Sequence, residues 1–202
     1  MTDDVRPPAI AEALLRALLT PRDRETVSGD LLEEYRQHVH PARGCMGADV
    51  WYLGEVMGFV WRAAGLWSVL LAVSVIGRDA IDWWLAPTSD FYARSIVSTS
   101  AAVACFACAG AVTAWRTRAI RSGMVAGIAT GLIAAVVVNL SSSLMLALEH
   151  DAHTLAMIRA SGGLEEVFVL PLFVILPGTL CATVGAVAAR TLDAVVRSRF
   201  AE

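Results

Sequence analysis

Two groups of side chains have the types and spacing for chemistry. Cys105-Phe-Ala-Cys108 is a CxxC pair, the spacing of a dithiol redox centre. Glu149, His150, Asp151 and His153, with Glu165 and Glu166 farther on, combine imidazoles and carboxylates that suit zinc. The cysteines sit in an apolar run without a polar neighbour to lower a thiol pKa. The polar stretches 78–94 and 149–166 hold no cysteine to relay electrons. We therefore expect Cys105 and Cys108 to act as small hydrophobic residues. The two histidines are three apart in a polar loop with no second shell, so a solvated loop at the membrane surface is expected there. All sixteen basic residues are Arg. That excludes a Schiff-base lysine and a GxxxxGK[ST] phosphate loop. If ATP drives anything here, another chain hydrolyses it. A net charge of −3 gives no case for nucleic-acid binding. No enzymatic activity, cofactor or metal is expected.

The remaining candidates lie in apolar surroundings. Ser98, Thr99 and Ser100 match Asn139, Ser141, Ser142 and Ser143 in depth if their helices run in opposite directions. Pro177 and Thr179 lie somewhat deeper. We expect an intramembrane polar layer, chiefly Ser98, Ser100, Asn139 and Ser142, joined by hydrogen bonds between helices. A pocket for a small polar ligand is the other reading. Gly123, Gly127 and Gly131 recur every four residues. Such a stripe lets helix backbones approach closely in lipid, within one chain or between copies.

The elements that hold these residues follow from charge patterning. Ser95–Trp115, Ser122–Leu148 and Val167–Ala189 contain no Asp, Glu, Lys, Arg or His, and Phe59–Gly77 contains only Arg62. Each is close to the roughly 20 apolar residues that cross a hydrocarbon core. The composition is 56% hydrophobic, with a mean hydropathy of +0.60. The expected fold is all-α: a polytopic membrane protein with four transmembrane helices, at about 51–77, 95–115, 122–148 and 167–189. These form a domain over 51–202, preceded by a cytoplasmic helical headpiece over 1–50. Residues 1–50 lack a signal-peptide pattern, so the first crossing is expected to remain as an uncleaved anchor.

Arginines set the orientation. Arg116, Arg118 and Arg121 fill one short loop without an acid, and the two terminal segments are also arginine-bearing. The stretches 78–94 and 149–166 are basic-poor. Both termini are therefore expected in the cytoplasm. Trp83, Trp84, Phe91 and Tyr92 would form part of the outer aromatic belt, and Trp51, Tyr52, Trp61 and Trp115 the inner one.

In the N-terminal part, Pro7-Pro8 opens a helix with Ile10, Leu14, Leu15 and Leu18 at helical spacing. Thr20-Pro21-Arg22-Asp23 is a second start signal, with Thr20 as the cap. Val27, Leu31, Tyr35 and Val39 form the inward stripe of that helix, and Pro41 and Gly44 are expected to end it. Asp30, Glu33 and Glu34 are expected to face water. A third helix starting near Ala48 would run unbroken into the first crossing, about 45 Å in all at 1.5 Å per residue. It would support two short helices that are marginal alone.

The run Pro8-Ala-Ile-Ala-Glu-Ala-Leu-Leu-Arg-Ala-Leu-Leu, then Pro21, Arg24-Glu25, Gly29-Asp30-Leu31-Leu32-Glu33-Glu34-Tyr35 and Trp51-Tyr52, resembles the permease prefix domain of bacterial MacB-like ABC permeases. It is similar, more loosely, to the helical domain of PadR-associated membrane proteins. The match covers about residues 7–62, and the four-helix part is not matched. Those permeases carry a large extracytoplasmic domain after the first helix, whereas only Arg78–Arg94 stands here. The resemblance implies a bacterial inner-membrane protein with a docking or regulatory headpiece, not a permease. The favoured function is an accessory or regulatory protein whose headpiece docks a partner through Asp30, Glu33 and Glu34, of an ABC export system by resemblance. The second is a small transporter or lipid-binding subunit acting as a homo-oligomer. The third, a membrane thiol oxidoreductase, rests on the CxxC alone.

Overall fold

The computed structural model describes residues 5–85, 90–148, 155–156, 158–159 and 163–199, with the backbone alone for 163–166. Helix α1 spans Ala9–Leu18 and buries Ala11 and Leu15, one turn apart on one face. Glu12 and Arg16 pair on its outer side. Helix α2 spans Pro21–Glu34. Thr20 caps it: its backbone is extended, and its hydroxyl oxygen accepts the Asp23 N–H at 3.2 Å. Pro21 occupies the first turn, where its missing N–H costs nothing.

The chain does not stop at Pro41. A π-helical turn, Tyr35–Val39, joins α2 to α3, His40–Trp84. That turn directly precedes Pro41, whose missing N–H leaves the α register one donor short. The bend comes at Gly44, with φ 69° and ψ 178°, a backbone that only glycine adopts freely. The expected end thus falls at Gly44, where two helical segments meet across a kink, and not at Pro41.

Around it lies a core of Leu15, Leu19, Tyr35, Tyr52, Val56 and Val60. Val27 and Leu31 pack against this core but stay half-buried, and the fully buried anchors are Leu15, Tyr35 and Tyr52. The rings of Tyr35 and Tyr52 meet edge to face at 5.8 Å. The Tyr35 hydroxyl donates to Asp49 at 2.6 Å, and burial, then that bond, hold its pKa well above the usual tyrosine value. Ala129 and Ile133 of the third long helix reach the same core.

Helix α4 spans Phe91–Thr117 and ends at Arg118, which takes the left-handed conformation. Helix α5 spans Ile120–Leu148. Helices α6, Gly163–Phe173, and α7, Ile175–Arg199, follow one path with a break at Val174. Pro177 explains the break, because its ring clashes with the carbonyl four residues back, that of Phe173. Among the described residues four helices are long and apolar enough to cross a membrane: Pro21–Trp84, Phe91–Thr117, Ile120–Leu148 and Val167–Arg199. They point Leu66, Val73, Leu140, Leu144, Leu176 and Leu180 outward. Water would not tolerate so broad an apolar surface, whereas lipid tails would.

Three helices outrun their apolar stretches. α3 continues to Trp84, α4 starts at Phe91 and α7 continues to Arg199. No breaker stands in 78–84 or 190–199, and i,i+4 pairs support both segments: Arg78 with Asp82, and Arg197 with Asp193.

The tightest packing joins α4 to α7. A Cβ added at Gly110 would lie 1.9 Å from the Ala182 carbonyl oxygen, and one at Gly185 would lie 2.1 Å from that of Ala107. The two backbones therefore touch. We predict that Gly110→Ala forces α4 and α7 apart and costs about 3 kcal/mol. Gly54→Ala, where nothing lies within 4 Å, should be neutral or slightly stabilising. Thermal unfolding of both variants in one detergent checks the contrast. Equal midpoints would mean that the helices do not meet at Gly110.

Candidate functional site

Charged groups converge where α3 ends and α4 begins. Arg78 Nε donates to one oxygen of Asp82 at 3.2 Å, and Arg94 Nε donates to the other at 2.5 Å. The side chains are only 17%, 9% and 17% exposed in the order Arg78, Asp82, Arg94. One carboxylate thus joins two helices by bridging two guanidiniums. Arg78 also lies over the Phe91 ring, 5.1 Å from its centroid.

Beneath this cluster is a cavity of about 200 Å³ between α3, α4, α5 and the α6–α7 path. Leu71, Val75, Ala102, Phe106, Val138 and Val174 give it apolar walls. Arg78 and Ser98 supply its polar end, and Pro171, Val174 and Pro177 of the broken helix form one side. The arrangement can hold an apolar body with a polar end.

The expected polar layer is divided by this geometry. Ser98 is buried and lines the cavity, Ser142 is buried, Asn139 is half-buried and Ser100 faces outward. The buried Thr130 Oγ1, Asn139 Oδ1 and Ser142 Oγ have no hydrogen-bond partner among the described residues. Ser143, Thr179 and Thr183 donate to carbonyls four residues back in their own helices, at 2.7–2.8 Å. In place of the expected bonds between helices, these hydroxyls bond within one.

The glycine stripe is filled from within the chain. Gly123 faces Ala186 and Gly110, Gly127 faces Ala182, and Gly131 faces Ile175 and Phe106. Sequence reasoning missed the other half of this seam, Gly110, Gly178 and Gly185. Its signal was the small-residue spacing Gly178-x-x-x-Ala182-x-x-Gly185-Ala186. Also missed was the Arg78–Asp82–Arg94 bridge, of which only the i,i+4 half is visible in the sequence.

Cys105 is buried and Cys108 exposed, so the CxxC pair points two ways, and all four cysteines are free thiols. Among the described residues no group of His, Cys, Asp and Glu could hold a metal. Glu149, His150, Asp151 and His153 lie outside the described residues, as do the side chains of Glu165 and Glu166. Of the aromatic residues, Trp61, Trp84, Tyr92 and Trp115 are exposed, while Tyr52 and Trp83 turn inward.

At the other end of the molecule, α2 buries none of its residues, and Asp30, Glu33 and Glu34 are exposed. Glu33 accepts from Gln37 at 2.9 Å and Glu34 lies 3.2 Å from His38. The N-terminal helices are tied down by Ser122, which donates to the Ala17 carbonyl at 2.5 Å, and by Arg36, which donates to that of Val5 at 2.8 Å. No family model, curated protein or solved structure matches this chain.

We predict that Asp82→Asn destabilises the fold by about 3 kcal/mol, because two mostly buried guanidiniums would lose their shared counter-charge. Asp23→Asn on exposed α2 should cost under about 1 kcal/mol. Denaturant titration in mixed micelles distinguishes them, and equal costs would show that the Asp82 bridge is not formed.

Proposed function

We propose that this protein is a non-enzymatic, multi-pass protein of a bacterial inner membrane whose N-terminal helices dock a protein partner. The observation that carries the reading is α2, a helix of 14 residues with none buried. Its inward residues, Val27 and Leu31, are only half-buried against the core, which leaves most of its surface for water or a partner. Its acidic face, Asp30, Glu33 and Glu34, is available to a basic surface, and exposed charges of this kind steer association. The resemblance of residues 7–62 to permease prefix domains makes the partner a component or regulator of an ABC export system.

The cytoplasmic placement rests on arginines. The Ser122–Ala17 bond seats α1 beside the turn that holds Arg116, Arg118 and Arg121. The N-terminal helices and this basic turn therefore share one end, and basic short loops stay in the cytoplasm.

Two predictions follow from this placement and this face. In a cysteine-free background, a membrane-impermeant maleimide should label Leu85→Cys in intact cells and Arg118→Cys only after lysis. The opposite pattern would reverse the orientation. A photo-crosslinking residue at Asp30 or Glu34 should give a discrete protein adduct in native membranes, and Glu33→Gln should reduce the yield from Asp30. The same adduct from Leu66, on the lipid-facing surface, or no adduct at all, would refute docking through α2.

A further inference from the structure

The docking proposal uses the N-terminal helices and leaves the cavity at the opposite end without a role. We infer that this cavity binds a single apolar chain carrying an anionic head, with the head on Arg78. The inference requires that the four long helices sit in a bilayer, and it is independent of any protein partner.

Arg78 is the first argument. A guanidinium has five N–H donors. Among the described residues, only Nε of Arg78 is used, on Asp82. Among those residues the two terminal amino groups meet no hydrogen-bond partner, and the side chain, 17% exposed, lines the cavity. Donors so placed are suited to an oxygen anion, which they can meet in bidentate fashion. The Asp82 bond and the Phe91 ring hold the guanidinium in position, so little of its freedom remains to be lost on binding.

The second argument is the shape below Arg78. A void of about 200 Å³ exceeds the roughly 150 Å³ cavity that accepts a benzene ring. It suits one chain segment and is too small for a whole two-chain lipid. Apolar walls continue from Ser98 near the start of α4 to Phe106 at its middle. A ligand lying along them would run from the membrane surface inward, head first at Arg78.

The broken helix is the third argument. Pro171 and Pro177 have no N–H, so the carbonyls of Val167 and Phe173 lose their helical donors. Interrupted helix at membrane depth is found where it is covered by protein or lines a cavity. Here Pro171, Val174 and Pro177 all line this one.

Two sources share the required chemistry: a free fatty acid, or one tail of an acidic phospholipid. The test uses the full chain in nanodiscs of phosphatidylcholine, alone or with phosphatidylglycerol or oleic acid, followed by native mass spectrometry of the released protein. We expect one retained molecule of an anionic amphiphile and preference over phosphatidylcholine of about tenfold or more, the size expected from charge-assisted hydrogen bonds. Retention of phosphatidylglycerol but not oleate assigns the phospholipid source, and the reverse assigns the fatty acid. Arg78→Gln should abolish the preference, and Ala102→Phe, which fills the cavity, should remove the adduct. Equal retention of phosphatidylcholine by the unaltered protein would overturn the inference, and so would no retention. That comparison needs no variant, so it stands even if Arg78→Gln fails to fold.

Discussion

Contact between the backbones of α4 and α7 is the constraint on which the bundle depends. Lipid tails are as apolar as leucine, so hydrophobic burial does not by itself draw these helices together. Close van der Waals packing must do it, and that needs surfaces without side chains. Gly110 against Ala182 and Gly185 against Ala107 provide them. Once α4 and α7 are in contact, Gly123 and Gly127 of α5 can lie against Ala186 and Ala182. The large side chains excluded from this seam point outward, as a bilayer would allow. Phe106 is the exception: the outer edge of its ring meets Gly178 and Gly131, and the side chain lines the cavity.

The N-terminal part is held by different physics. Its core of Leu15, Tyr35, Tyr52 and Val56 is the kind that water builds, with aromatic rings edge to face and a phenol bonded to Asp49. The two regimes meet on α3 and α5. Val60, Ala129 and Ile133 belong to helices with long apolar runs, yet they close the N-terminal core. Its few buried residues are therefore extended by surface borrowed from the bundle.

Much of the fold was legible because its causes are local or compositional. A lipid crossing demands a long run without charge, and four runs stand out. Thr20 and Pro21 start a helix for reasons contained in four residues. Helix ends were less legible, because Arg78, Asp82 and Arg94 read as a polar loop until folding pairs them. Of the two stop signals, Gly44 interrupts the helix, while the chain stays helical through Pro41 after a π turn. The glycine stripe of α5 was legible as a packing face, but its partner was not, since a small-residue surface fits many others. Leu31 carried the same hydrophobic signal as Leu15, and only tertiary packing decided which was fully enclosed. Of the cavity only Ser98, Thr99 and Pro177 were legible, as a possible polar pocket; its apolar walls were not, because they come from every long helix.

The bond from Ser122 to the Ala17 carbonyl links residues 105 positions apart in the chain. Synthesis proceeds at about 5–20 residues per second, so the second partner emerges about 5–20 s after the first. During that interval α1 lacks its seat on α5, and Ala129 and Ile133 have yet to cover Leu15 and its neighbours. The nascent N-terminal segment must therefore wait for α5 before its core can close. Its maturation is timed by the emergence of α5, and a chain stalled before α5 would display an unfinished, chaperone-accessible N-terminal segment.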